Sequence, residues 1–94
     1  MILVIKSFRL KEGVDDTTFL EADEALQREF TYKQPGMLRC TTAKGPDGEW
    51  FVLHLWTSSE AADAPSGADD PVVETWADLI DESTAKMERF EKID

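Results

Sequence analysis

The chain has only one cysteine, one histidine and no asparagine among its 94 residues. A single cysteine excludes an internal disulfide and a cluster of thiolate metal ligands, and a single histidine excludes a multi-histidine metal site within one protomer. We therefore interpret Cys40 as a small apolar strand residue and not as a reactive thiol. A glycine-rich phosphate loop is also missing from the sequence. These absences leave only isolated polar side chains as candidates for chemistry.

Basic residues are few, at 10 against 20 acidic residues, and the formal net charge is −10 at pH 7. A surface of this sign repels phosphate backbones and anionic lipid headgroups, so we expect no nucleic-acid partner and no membrane partner. The first ten residues, "MILVIKSFRL", contain no basic region ahead of their apolar run, unlike a signal peptide. The expected setting is the reducing cytoplasm.

Hydrophobic patterning predicts one domain, residues 1–94, that starts with a strand and a helix. Residues 2–10 are rich in leucine and β-branched residues, and the turn "KEG" ends this strand. Apolar residues at helical spacing follow, with Asp15 or Asp16 as the N-cap. Pro35–Gly36 ends the helix, because proline cannot donate a backbone hydrogen bond to it.

The middle of the chain predicts a hairpin followed by a short helix. Strand-forming residues occupy 37–43 and 50–56, and the turn cluster "KGPDGE" connects the two segments. The next residues, "TSSE", match a capping box with Thr57 as the N-cap and Glu60 at the third helical position. The predicted helix is short, since "APSG" interrupts it.

A second helix is predicted after Asp69 or Asp70, because Pro71 suits the first helical position. Its apolar stripe consists of Val72, Val73, Trp76, Leu79 and Ile80. Residues 84–93 carry an apolar residue at every third position, as in a helix, but would equally make a charged edge strand. The predicted order is thus β–α–β–β–α, with a final element left open.

The strand "WFVLHLW", residues 50–56, is apolar on both faces apart from His54. Residues 2–5 share this two-sided character. Two helices can cover only one face of an antiparallel sheet, and the other face is ordinarily polar. The chain has no further segment to bury the second face. We therefore expect a homodimer in which two sheets pack face to face.

Three segments carry a family resemblance: a strand ending in "FRLKEG", then "QPGMLRCTTA", then "EWFVLHLWTSSEAADA". Together they resemble the antibiotic-biosynthesis-monooxygenase-like domains of the dimeric α+β barrel superfamily, over essentially the whole chain. The resemblance implies an α+β fold, with a ferredoxin-like βαββαβ protomer, an antiparallel sheet with helices on one face, and a dimeric α+β barrel. It also implies a pocket between sheet and helices in each protomer.

Members of this family differ in their chemistry. Some oxidise phenolic polyketides or quinols with O₂ and without metal or flavin, and others degrade haem. The haem-degrading members resemble one another in an asparagine, a tryptophan and an iron-binding histidine. Here Lys6 stands at the asparagine position, Pro65 falls near the tryptophan position, and "VVETWAD" contains no histidine. The resemblance therefore implies no cofactor and no metal, although the metal-free oxygenases also use an asparagine that this chain lacks.

Two polar residues on apolar strand faces, His54 and Lys6, are the candidate catalytic residues. His54 shares its predicted face with Val52 and Trp56, where it would serve as a base or hydrogen-bond donor. The alternative is a neutral histidine bonded to a backbone carbonyl or placed at the dimer interface. Lys6 would anchor an anionic ligand or lower the pKa of a phenol, or else would extend to solvent or pair with a carboxylate.

Six further residues are candidates for binding the substrate: Trp56, Trp76, Asp23, Gln27, Tyr32 and Arg39. The tryptophans are alternatively core residues, since aromatic side chains bury large areas. Asp23 and Gln27 lie one turn apart beside the apolar stripe of the first helix, where a pocket would open, or on a solvated flank. Tyr32 and Arg39 flank Pro35–Gly36 and would either border a pocket or lie on the surface.

Two functions remain open at this point. The first is a cofactor-free monooxygenase-like or isomerase-like enzyme that acts on a small aromatic or quinone-like molecule. The second is a non-catalytic small-molecule-binding or interaction protein with the same dimeric barrel. A convergent set of polar side chains in one pocket would favour the enzyme.

Overall fold

The computed structural model describes residues 1–65, 67 and 69–94. These residues form four strands, three α-helices and one 3₁₀ turn: β1 (Ile2–Leu10), α1 (Asp16–Glu29), the 3₁₀ turn (Thr31–Lys33), β2 (Met37–Lys44), β3 (Trp50–Trp56), α2 (Ser59–Asp63), α3 (Pro71–Ala77) and β4 (Ile80–Glu91). The strands make one antiparallel sheet in the order β2-β3-β1-β4. This arrangement confirms the predicted α+β, ferredoxin-like βαββαβ fold. None of the helices in the described ranges is long and apolar enough to cross a membrane.

The two central strands, β1 and β3, set the positions of the candidate residues. Val4 lies opposite His54 and Lys6 lies opposite Val52 in the antiparallel register. Alternate residues of a strand point to opposite faces, so Lys6 and His54 share the face that the helices cover. They are diagonal neighbours on adjacent strands, within reach of a common ligand.

An aromatic cluster holds α1 and α3 against this face. Phe19 of α1 is completely buried, and its ring centroid lies 4.8 Å from that of Trp50 and 5.7 Å from that of Phe8. Trp76 of α3 lies 5.5 Å from Phe8 in an edge-to-face arrangement. The core therefore lies between the helices and one end of the sheet, and leaves space beside it around Lys6 and His54.

The helix starts follow the predicted caps with one exception. Asp15 accepts a hydrogen bond from the Thr18 N–H at 2.8 Å, and Asp70 caps α3 by accepting from the Val72 N–H. The prediction of Thr57 as the cap of α2 is wrong, because the Ser58 hydroxyl accepts from the Ala61 N–H. The Thr57 N–H instead donates to the Gly36 carbonyl at 2.9 Å, which fixes Thr57 at the end of the sheet.

The last element is a strand, which answers the question left open for residues 84–93. The predicted α3 stripe is wrong at its end, because the helix stops at Ala77 and Ile80 starts β4. Pairing with the edge of β1 provides backbone hydrogen bonds along β4, with Met87 opposite Lys6 and Phe90 opposite Leu3. The three-residue spacing of Met87 and Phe90 therefore places them on opposite faces of the sheet.

Gly36 fixes the entry to β2. The prediction that Pro35–Gly36 ends the first helix is wrong, because α1 ends at Glu29 and the 3₁₀ turn Thr31–Lys33 comes between. Its φ of +83° lies in the left-handed region that favours glycine. A Cβ atom at this position would lie 2.5 Å from the Ala61 Cβ and 2.7 Å from the Thr57 Oγ1. The close approach lets α2 pack on the start of β2, beside the larger of two cavities.

Candidate functional site

Two adjoining cavities lie between the sheet and the helices. The larger has a volume of about 490 Å³ and the smaller about 100 Å³. The residues that line both are Lys6, Phe30, Thr31, His54 and Val73. The two candidate catalytic residues therefore lie in the wall that the cavities share, and a single bound molecule could contact both.

His54 lies on β3 with its ring edge-on to Trp56, at a centroid distance of 5.9 Å. Its side chain is half-buried. Burial, and to a smaller extent the positive charge of Lys6, lower the pKa of His54 to about 4. The imidazole is therefore neutral at pH 7, with one nitrogen able to accept a proton and the other able to donate a hydrogen bond.

Lys6 lies on β1 between Val4 and Phe8, both of which are buried on the same face. Burial lowers the pKa of Lys6, and only an ionised Cys40 would act against this effect. Burial, followed by the nearby Asp23 carboxylate, raises the pKa of Cys40 to about 12, so Cys40 is a neutral thiol at pH 7. Among residues 1–65, 67 and 69–94, no carboxylate forms an ion pair with the Lys6 ammonium.

Asp23 lines the smaller cavity, but its carboxylate already has three hydrogen-bond donors. It is 4% exposed and accepts hydrogen bonds from the Thr42 hydroxyl at 2.6 Å and from the Gln27 amide at 3.0 Å. Its other oxygen accepts from the Trp76 indole N–H, also at 3.0 Å. Asp23 thus ties α1 to β2 and α3, and it orients Gln27 and Trp76 in the cavity wall.

The remaining candidates divide between the cavities and other parts of the surface. Trp56 lines the larger cavity, where it is buried beside His54. The Tyr32 hydroxyl accepts from the Cys40 N–H at 2.8 Å and donates to the Cys40 carbonyl at 3.0 Å. Arg39 lines a groove on the opposite face of the sheet. The structure therefore does not bring Tyr32 or Arg39 into either cavity.

Sequence reasoning missed several residues of the larger cavity, chiefly Phe30, Thr31, Asp63 and Arg89. Arg89 donates to Asp63 at 2.8 Å and so connects β4 to α2 across the cavity wall. The strand alternation of Met87 and Arg89 would have indicated this position only if residues 84–93 had been assigned as a strand. Phe30 fits the helical spacing of the apolar residues Phe19, Ala22 and Leu26, a pattern that does not indicate that it borders open space.

The chemistry of this site follows from the presence of His54 and Lys6 in a wall that is otherwise mostly apolar. Apolar and aromatic side chains make up most of the wall, which suits a small planar ligand. The neutral His54 can remove a proton from that ligand, and the Lys6 ammonium can stabilise the anion that forms. Within the described ranges, no group of three or more His, Cys, Asp or Glu side chains is placed to hold a metal ion.

Solved structures share this fold over nearly their full length. SnoaB, a cofactor-independent oxygenase from Streptomyces nogalater, is 20% identical, with a TM-score of 0.74 over 99% of this chain and 93% of SnoaB. A candidate antibiotic biosynthesis monooxygenase from Nitrosomonas europaea is 21% identical, with a TM-score of 0.70 over 99% of both chains. A conserved protein from Methanosarcina mazei is 16% identical, with a TM-score of 0.77 over 98% of this chain and 92% of that chain.

At these identities the structural likeness shows the fold and no more. No curated protein is significantly similar to the sequence. The sequence pattern of antibiotic biosynthesis monooxygenases, in contrast, matches residues 1–66, more than half of the chain. This chain belongs to the antibiotic biosynthesis monooxygenase family.

Proposed function

We propose that the protein is a cofactor-independent monooxygenase-like enzyme of the cytoplasm that oxidises a small hydroquinone-like or anthrone-like aromatic molecule. The observation that carries this proposal is the position of neutral His54 beside Lys6, which has no ion-pair partner among the described residues, in the shared wall of the two cavities. The family supports the reaction class, and SnoaB supports chemistry without a cofactor in a chain of this fold.

The proposed reaction begins with loss of a proton from an acidic C–H or O–H of the substrate to His54. Lys6 stabilises the resulting anion, which reduces O₂. For the methylene group of an anthrone, which lies across the central ring from the carbonyl and is conjugated with it, one oxygen atom enters the product as a new C=O group. The other oxygen atom leaves as water with both hydrogens, so O₂ alone balances the oxidation. Trp56 and Phe30 would hold the aromatic ring beside His54.

A second candidate function is non-catalytic binding of the same class of ligand. Asp23 favours this alternative in one respect, because the three donors that surround its carboxylate all belong to the protein and hold it in the cavity wall. A measurement of turnover distinguishes the enzyme from the binding protein, since binding requires the cavity but no proton acceptor.

Oxygen consumption with a panel of hydroquinones and anthrones is expected to depend on both candidate residues. His54→Ala should lower kcat/KM about 100-fold, because it removes the proton acceptor. Lys6→Met should also lower kcat/KM about 100-fold, because it removes the charge that stabilises the anion. An oxygen electrode measures the rate, and Lys33→Met, which removes an exposed lysine, is the matched control.

The pH profile gives a further check on His54. Because its pKa is about 4, His54 stays neutral at higher pH, and its proton-accepting form is lost only as the pH falls towards that value. The rate should therefore show no inflection near the ordinary histidine pKa of about 6.5.

One outcome of the oxygen-uptake measurement would contradict the proposed enzyme. Background oxygen uptake in the wild type, equal to that of His54→Ala, would leave ligand binding as the function.

We further propose that the protein acts as a homodimer through the sheet face that no described helix covers. The apolar residues of β1 and β3 on this face are Leu3, Ile5, Phe51, Leu53 and Leu55, all only half-buried in one protomer. A groove of about 430 Å³ on this face is lined by Leu3, Leu53 and Leu55, with Arg39, Thr41, Lys92 and Asp94 around them. A second copy would bury the groove and provide the stability that a 94-residue chain gains from association.

Light scattering at micromolar concentration and physiological salt should give the mass of a dimer. Leu53→Glu places a charge in the middle of the apolar face and should weaken the dimer by about 2 kcal/mol or more, roughly 30-fold in Kd. Thr17→Glu adds the same charge on the exposed side of α1 and should leave the mass unchanged. A monomeric wild type would refute the proposed dimer.

A further inference from the structure

Lys6 differs from every other lysine of the chain in its surroundings. The other five, Lys11, Lys33, Lys44, Lys86 and Lys92, are exposed, whereas Lys6 is half-buried on the helix-facing side of a central strand. Lys44 is additionally paired with Asp16 at 2.6 Å. Lys6 is therefore the one lysine whose side chain lies between the sheet and the helices, beside buried apolar residues.

The conditions that make a lysine nucleophilic meet at this position. A protonated amine has no free electron pair, so nucleophilic lysines lie in apolar surroundings that favour the neutral form. Val4 and Phe8 flank Lys6 on its own strand, and the described residues offer its ammonium no carboxylate partner. Burial lowers the pKa of Lys6, which raises the fraction of free amine at neutral pH.

Lys6 has space for a ligand beside it and a neighbouring residue, His54, that can carry a proton. Lys6 lines the cavities of about 490 Å³ and 100 Å³ and a third cavity of about 260 Å³ on its other side. His54 is its diagonal neighbour on β3 and lines the first two cavities. A neutral imidazole can take a proton from nitrogen and return it to oxygen within one small site.

We propose that the Lys6 amine forms an imine with small aldehydes or ketones that enter these cavities. The amine nitrogen attacks the carbonyl carbon, and a C–N bond forms as the carbonyl π electrons move to oxygen. His54 transfers a proton from nitrogen to that oxygen and gives a neutral carbinolamine. Transfer of the remaining N–H proton to the hydroxyl, again through His54, then releases water as the nitrogen lone pair forms the C=N bond, so no oxidant or reductant is needed. This reactivity is separate from the proposed oxidation, because it requires no O₂.

Trapping with benzaldehyde and cyanoborohydride under nitrogen tests the proposal. Cyanoborohydride reduces each imine to a stable benzylamine, and peptide mass spectrometry measures its rate of appearance at every lysine. Lys6 in the folded protein at pH 7 should react at least about tenfold faster than Lys11, which lies just beyond the same strand. The preference should disappear in concentrated urea, where both amines are exposed.

His54→Gln should slow labelling of Lys6 about 100-fold and leave labelling of Lys11 unchanged. Lys6→Arg should abolish the fast labelling while keeping the positive charge, and its thermal melting shows whether the fold is intact. Labelling of Lys6 at or below the rate of Lys11 in the wild type would overturn the proposal. That result would not affect oxygen uptake, so the two proposals fail separately.

Discussion

Replacing Phe19 by alanine is expected to lower the free energy of unfolding by about 3–5 kcal/mol. Phe19 is 0% exposed, and its ring contacts an aromatic residue of each central strand and one of α3. Removal of the ring leaves a cavity that three rigid aromatic side chains cannot fill. Since domains of this size have a total stability of about 5–15 kcal/mol, the loss would be a large share of it.

Calorimetry or circular dichroism at fixed protein concentration measures this effect. Each kcal/mol shifts the Tm of a domain of this size by about 4–8 °C, so Phe19→Ala should lower Tm by at least about 12 °C. Leu20→Ala is the matched control, because Leu20 is the next residue of α1 and is 47% exposed. It should change the stability by less than about 0.5 kcal/mol. Equal shifts for the two variants would contradict the placement of α1.

Asp23→Asn is expected to cost about 2–4 kcal/mol, although it preserves the shape of the side chain. The carboxylate accepts from donors on both of its oxygens: Thr42 and Gln27 on one, and Trp76 on the other. An asparagine has one oxygen and one NH₂ group, so in either orientation its NH₂ faces a group that also donates. One buried donor then has no acceptor.

A double-mutant cycle with Trp76→Phe identifies the cause. Trp76→Phe removes the indole N–H, so the asparagine can turn its NH₂ towards this side and keep its oxygen for Thr42. The cost of Asp23→Asn in the Trp76→Phe background should therefore be smaller by at least about 1 kcal/mol. Additive costs, measured by urea denaturation, would argue against the hydrogen bond between Asp23 and Trp76. The exposed pair of α1, Glu24 and Arg28, provides the control: Glu24→Gln should be nearly neutral.

The sequence predicted the fold well where local rules and packing act together. The strand at residues 2–10 and the start of α3 at Pro71 agree with the structure, since each depends on backbone chemistry that nearby residues determine. The helix end predicted at Pro35–Gly36 does not agree, because α1 already ends at Glu29. The C-terminal strand was left open because its residues are charged and mostly exposed. Only its hydrogen bonds to the edge of β1, which no local pattern records, fix it as a strand.

The candidate site, like the fold, could be predicted from the sequence only in part. Alternation along β3 grouped His54 with Val52 and Trp56, but both faces of β1 and β3 are apolar. Only the register between the two strands shows that Lys6 and His54 share one face. Arg39 could not be placed so easily, because the register of β2 shifts between Met37 and Arg39. Tyr32 lies in the 3₁₀ turn, outside the strands and α-helices, so the spacing of residues in the sequence does not predict where its side chain points. Arg89 and Asp63 meet across 26 positions of the sequence, a contact that only the folded chain reveals.

The two hydrogen bonds between Tyr32 and Cys40 have a consequence for how sheets of different molecules meet. β2 is an edge strand, and its outward backbone groups could pair with a strand of another chain. At Cys40 both of these groups are bonded to one phenolic hydroxyl of the same molecule. The side chain of Tyr32 thereby blocks the addition of another strand at this point of the β2 edge.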